Sequence, residues 1–211
     1  MTSALESEAM IPAQLKELLL QSLVHEKGGV LVYSTALECA ANMELHAEWS
    51  QYLEQTTNHV EVLTRVCERL GLDPGEMTPA CQIVQDNGKR LVIAMKTALA
   101  AGDAVGAELV ACECVVLAET KDHSNWELIG ACATEMEGEL AEVLQQAYDE
   151  VEDQEDEHLY HTKGWCRELW RQSLGLTAVI PPPEETEHAS NAIEAAKAKQ
   201  KAHPKDGKHA R

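Results

Sequence analysis

Five ionisable residues stand where a helical chain has little use for charge: Glu26, His59, Glu119, Glu155 and His158. Each falls inside an apolar stripe of helical spacing and not on a solvated face. One stripe is Leu45, Trp49, Tyr52, Thr56, His59, Leu63, Val66 and Leu70, with steps alternating between four and three, the spacing of a helix turned to a shared core. Leu15, Leu18, Ser22, Glu26, Gly29, Tyr33 and Ala36 form a second. Val105, Leu109, Cys112, Val115, Glu119, Trp126, Ile129 and Ala133 form a third, and Leu144, Ala147, Val151, Glu155, His158, Thr162, Trp165 and Leu169 a fourth. An uncompensated charge in such a stripe costs on the order of several kcal/mol, so these groups must pair or bind a cation. Carboxylates and imidazoles converging inside a helical core are the ligand types of iron and manganese. A carboxylate can span two such cations, and a neutral imidazole can complete each.

Depth along the helices brings the five together. If the first two stripes form an antiparallel hairpin, level residues are equidistant from its turn. Glu26 and His59 average to (26 + 59)/2 = 42.5, at the expected turn Asn42-Met43. In the second pair, Glu119 and His158 average to 138.5 and Glu119 and Glu155 to 137, at Glu137-Gly138. Glu155 and His158 are three apart and share a helix face. The chain has no repeat of solenoid period, but it repeats this architecture: each hairpin sets a buried Glu level with a buried His.

The elements that must carry these groups are long helices. Punctuation divides the chain into blocks at 12–41, 43–70, 79–101, 104–137 and 139–174. Pro12 suits a first helical turn, Gly71-Leu72-Asp73-Pro74-Gly75 is a strong breaker, Thr78 suits an N-cap, and Gly102, Gly138 and Gly175 mark the remaining ends. Ala, Leu, Glu, Gln and Lys dominate and phenylalanine is absent, so the composition is that of an all-α protein. Residues 12–176 are expected to form one helical domain. Pro181-Pro182-Pro183 and the polar stretch after it make 177–211 an expected disordered tail.

Thirty-six acids stand against 17 bases. Residues 177–211 hold five acids and six bases, so the rest carries 31 acids and 11 bases, a net of −20. Such a body repels nucleic acid and anionic membranes and attracts cations. Neither a signal peptide nor a membrane-spanning segment is expected, and a cytoplasmic location is. The seven cysteines do not have the spacing of a disulfide framework, and we expect most of them to be reduced core residues. Cys112-x-Cys114 is read the same way, since residues two apart diverge on a helix.

On Glu26, His59, Glu119 and Glu155-x-x-His158, residues 14–174 resemble the ferritin-like superfamily of ferritins, rubrerythrins, manganese catalases and small stress-response proteins. The pattern there is a Glu on one helix and Glu-x-x-His on the next, then the same again. This chain departs from it at Thr56, which stands three residues before His59 where a Glu would be. The helix interposed between the hairpins and the stretch Tyr52–Leu63 resemble the stress-response branch. The set of three carboxylates and two histidines resembles manganese catalase.

The resemblance implies an antiparallel four-helix bundle with an additional helix between its two hairpins. It implies two transition-metal ions, iron or manganese, held by Glu26, His59, Glu119, Glu155 and His158, with Glu119 or Glu26 bridging, and a homodimer. The function expected is an oxidoreductase acting on oxygen or peroxide in stress protection. The alternative is a non-enzymatic stress or scaffold protein with a structural polar core and no metal. Asp122, His123 and His161 are expected either to flank the site or to lie on the surface, and Trp126 and Trp165 to pack the core. His25 and His46 are expected at the surface, Glu54 and Gln55 off the seam, and Glu150, Glu152, Asp153, Asp156 and Glu157 on a solvated face.

Overall fold

The five blocks form five helices, α1 (Ala13–Cys39), α2 (Met43–Arg69), α3 (Pro79–Ala100), α4 (Ala104–Glu135) and α5 (Gly138–Ser173). The computed structural model describes residues 11–179, and the expected disordered tail lies outside them apart from its first three residues. Of those three, Thr177 and Val179 are hydrogen-bonded back to Arg171 and Glu168 of α5. The protein is all-α: no strand occurs among the described residues. No helix among them is long and apolar enough to cross a membrane.

Local chemistry sets the helix ends. The Asn42 side chain accepts from Glu44 N and Leu45 N and starts α2. Gly71, at φ 69°, allows Leu72 N to reach back to Cys67 O at 2.8 Å and closes its other end. Thr78 caps α3, with Pro79 in its first turn. α1 stops two residues before the expected Ala41. Ala40 turns extended, and the N–H groups of Ala41 and Asn42 donate to a carboxylate of α4, Glu108 Oε1, at 2.8 and 2.6 Å. The first turn is thereby tied to the second hairpin.

α1 packs against α2, α2 against α5, α5 against α4 and α4 against α1, while α3 lies along α1 and α4. Two apolar clusters fill the interior. One contains Leu19 and Leu23 of α1, Leu63 and Val66 of α2, Trp126 and Ile129 of α4, and Leu144 and Val151 of α5. The other contains Tyr33 and Ala36 of α1, Leu45, Trp49 and Tyr52 of α2, Leu109 and Val115 of α4, and Leu169 of α5. The chain runs from the first cluster to the second along α1 and α5, and from the second to the first along α2 and α4. Neighbours in the ring are therefore antiparallel. α3, with Cys81 in the first cluster and Met95 in the second, runs with α1. Between the clusters every one of the four ring helices contributes polar residues: Glu26, Thr56 and His59, Glu119 and Asp122, Glu155 and His158, all buried.

Glu108→Ala is expected to lower stability by about 1–2 kcal/mol, since it strips two backbone N–H groups of a charged acceptor. Thermal unfolding of the variant beside the parent checks this, and an unchanged midpoint would show that solvent satisfies the turn unaided.

Candidate metal centre

All five expected residues meet in the polar layer. His59 Nδ1 lies 3.0 Å from Glu155 Oε1 and 3.5 Å from Glu26 Oε1. His158 Nδ1 lies 3.6 Å from Glu119 Oε2 and 3.7 Å from Glu155 Oε1. Two triads result, Glu26–His59–Glu155 and Glu119–Glu155–His158, each able to offer three ligand atoms within 4.8 Å of one another. Glu155 belongs to both, so the shared carboxylate is Glu155 and not Glu119 or Glu26. Depth arithmetic placed Glu155 at this level but could not choose among three carboxylates. The choice is made by the rotation of α5 against α2.

Each imidazole is held from behind. His59 Nε2 lies 2.9 Å from Gln154 Oε1, and His158 Nε2 lies 2.9 Å from Gln55 Oε1. An amide oxygen only accepts, so each Nε2 carries the donated proton and each Nδ1 faces the carboxylates. Gln55 thus does not rotate away from the seam as expected. Its backbone is off the stripe, but its long side chain reaches across to α5.

The two hairpins place their layer residues at matching positions. Gln55 and Gln154 are 99 apart, as are Thr56 and Glu155, and His59 and His158. Glu26 and Glu119 are 93 apart, as are Gly29 and Asp122, and Tyr33 and Trp126. Trp126 Nε1 donates to Glu26 Oε1 at 2.8 Å, so this tryptophan holds a site carboxylate as well as packing the core. Tyr33, its counterpart, lies beside Glu119. The repeat Gln-x-x-x-His was visible in the sequence and would have pointed to both glutamines. Glu119-x-x-Asp122, one helical turn on a single face, would have pointed to Asp122.

No family model matches the chain, and no curated protein or solved structure is significantly similar to it.

Electrostatically the layer retains protons. Burial lifts the Asp122 carboxyl well above the usual carboxylate range, and the charges of Glu26, Glu155 and Glu119 lift it further. Glu155 is raised by burial, against the hydrogen bond from His59, and raised again by Glu26 and Glu119. Burial works against charge on His59, but Glu155 and Glu26 override it and push that imidazole up to about 11. The extra proton then sits on Nδ1, between the two carboxylates. Beyond the 3.0 Å contact of His59 Nδ1 with Glu155 Oε1, no hydrogen bond satisfies Glu26 Oε2, Glu119 Oε2, Glu155 Oε2 or His158 Nδ1. Buried polar atoms are rarely left so.

The remaining residues divide clearly. His123 is buried and paired with Asp156 at 2.7 Å, so Asp156 is not on a solvated face. His25 is not at the surface either: it is half-buried, with Nε2 3.0 Å from Ala118 O. Glu48 accepts from Tyr52 Oη and Trp165 Nε1, each at 2.7 Å, and contacts His161 Nδ1 at 3.2 Å. The Tyr52 ring lies 4.2 Å from that of His158, so this cluster runs from the layer outward. All seven cysteines are free. Burial pushes the Cys67 and Cys114 thiols up to about 11, which keeps them protonated and poor ligands.

The raised groups set the sign of the pH dependence. The metal-free native state binds more protons than the unfolded chain at His59, Glu155 and Asp122, so stability falls as pH rises. The His59 contribution is complete below its unfolded value of about 6.5 and is lost progressively toward about 11. The metal-free protein is expected to lose about 1–3 kcal/mol between about pH 6.5 and about pH 9. Chemical denaturation of chelator-treated protein measures it. Stability that is flat or rising over this interval would contradict the proton-holding layer.

Proposed function

We propose that the chain is a ferritin-like four-helix protein that holds two iron or manganese ions and acts as an oxidoreductase on oxygen or peroxide. The observation that carries this reading is the convergence of ligand atoms between the two apolar clusters: three carboxylates and two imidazole Nδ1 atoms, drawn from four helices and sharing Glu155. The closed antiparallel ring of α1, α2, α5 and α4 supports the four-helix bundle, and α3 supports the additional helix between hairpins.

The donor chemistry fits these metals. Carboxylate oxygen with imidazole nitrogen, and no thiolate, suits iron and manganese. Three carboxylates nearly balance two divalent ions, leaving a small net charge in the buried layer. Glu26 and His59 would hold one ion and Glu119 and His158 the other, with Glu155 between them. Gln154 and Gln55 fix the two imidazole tautomers, the role that outer partners of ligating histidines ordinarily fill. A purely structural polar layer would keep the His59–Glu155 hydrogen bond but leave Glu26 Oε2, Glu119 Oε2, Glu155 Oε2 and His158 Nδ1 buried without one, which is costly at each.

When bound, such a pair of redox-active ions supplies the electrons that O–O bond chemistry requires. The chain's own residues supply the rest. Asp122 keeps a proton on its carboxyl beside Glu26, positioned to protonate an oxygen that gains charge. Tyr33, Tyr52 and Trp126, all buried, line the layer with rings and exclude water. Tyr52, Glu48 and half-exposed His161 give protons a hydrogen-bonded way out beside His158.

Reconstitution with ferrous or manganous salt, followed by elemental analysis, is expected to give about two ions per chain. His59→Ala and His158→Ala are each expected to stay folded, because the carboxylates can take up protons, and to lose metal affinity by at least ~10-fold. Affinity should rise with pH, since binding displaces the proton on His59. Two variants that bind like the parent, or a parent that takes up neither metal, would end the reading. Oxygen or peroxide consumption by the loaded protein tests the activity.

A further inference from the structure

The two hairpins differ where the acids meet. Asp122 and Glu155 of the second are matched by Gly29 and Thr56 of the first, and a Cβ placed on Gly29 would stand 3.1 Å from Thr56 Cγ2. On that side, between α1, α3 and α4, lies a cavity of about 440 Å3. Gly28, Gly29 and Gly88 line it, and a Cβ on Gly28 would meet nothing within 4 Å. Gly28 therefore opens onto empty space that a side chain would fill. The other walls are largely apolar, Leu91 and Leu117 among them.

The charge of this cavity is unlike that of the protein. In a chain with 36 acids and 17 bases, no Asp or Glu lines it, whereas Arg90 and Lys121 do. Both cations are exposed, so they stand at its open side. Lys121 hydrogen-bonds Asn125, a neutral group. An apolar interior with cations at the mouth matches an amphiphilic anion. The volume lies within the range of small-molecule sites, roughly 300–1,000 Å3. One turn of α-helix, a cylinder about 10 Å across and 5.4 Å tall, would fill it entirely, so a small molecule fits better than a segment of protein.

We propose that this cavity binds an organic carboxylate with an apolar chain, the chain against Gly28 and Gly29 and the carboxylate at Arg90 and Lys121. The site does not depend on the metal reading, because every group it uses lies outside the ligand set. The test is calorimetric titration of the full-length, metal-free protein with decanoate and with decanol. Decanoate is expected to bind saturably, one per chain, and ~5- to 10-fold more tightly than the neutral alcohol, with the difference shrinking at high salt. The double variant Arg90→Gln, Lys121→Gln changes only exposed side chains and is expected to bind the two probes alike. Gly28→Leu projects an isobutyl group into the space the chain would occupy and is expected to weaken both by at least ~10-fold, without lowering the melting temperature. Equal binding of decanoate and decanol by the parent would overturn the proposal, as would failure of decanoate to saturate. So would undiminished decanoate binding by the charge variant, an outcome readable even if Gly28→Leu fails to fold.

Discussion

Glu155 makes the contact around which the rest of the interior is arranged. Its Oε1 lies 3.0 Å from His59 Nδ1 across the ring and 3.7 Å from His158 Nδ1 on its own helix. A carboxylate buried this deeply survives only among compensating groups, here the imidazoles of α2 and α5, while α1 and α4 bring Glu26 and Glu119 up to the same layer. The two apolar clusters above and below supply the burial energy. The layer between them sets which helix faces which, because sliding one helix by a turn would leave charged atoms against hydrocarbon.

The near-twofold repeat of the hairpins explains how so many candidate ligands converge without crowding. Glutamines 99 residues apart each support the histidine of the other hairpin, and Trp126 of one hairpin donates to Glu26 of the other. Support is exchanged between halves and not kept within each, so neither hairpin completes its own site. Where the repeat fails, at Gly29–Asp122 and Thr56–Glu155, one side of the layer is acidic and the other is small. The acidic side concentrates protons, and the small side borders a cavity that no carboxylate lines.

The proton content of the layer links stability to occupancy. In the proposed reading His59 and Glu155 hold protons that cations would displace, so alkaline conditions both weaken the metal-free fold and favour binding. If the layer holds metal as proposed, stability and metal loading are linked through the same protons. The tautomers set by Gln55 and Gln154 turn Nδ1 of each histidine toward the carboxylates, and at His59 that is the atom where the exchange takes place.

How far the sequence alone determined this protein depends on the range of the interaction involved. Helical periodicity and Gly, Pro and cap residues are local, so the five helices, their ends to within two or three residues, and the depth of Glu26, His59, Glu119, Glu155 and His158 were legible from spacing. Rotation about each helix axis is not local. It is set by packing between helices, and it decided that Glu155 is the shared carboxylate, that Gln55 reaches across to His158, and that Asp122 joins the layer. Side-chain length hid the glutamines, whose backbones lie off the stripe although their amides do not. The course of α3 along α1 and α4 was also beyond reach: its own pattern buries little besides Cys81 and Met95, and only the glycines of α1 and α3, brought side by side in space, show the cavity between them.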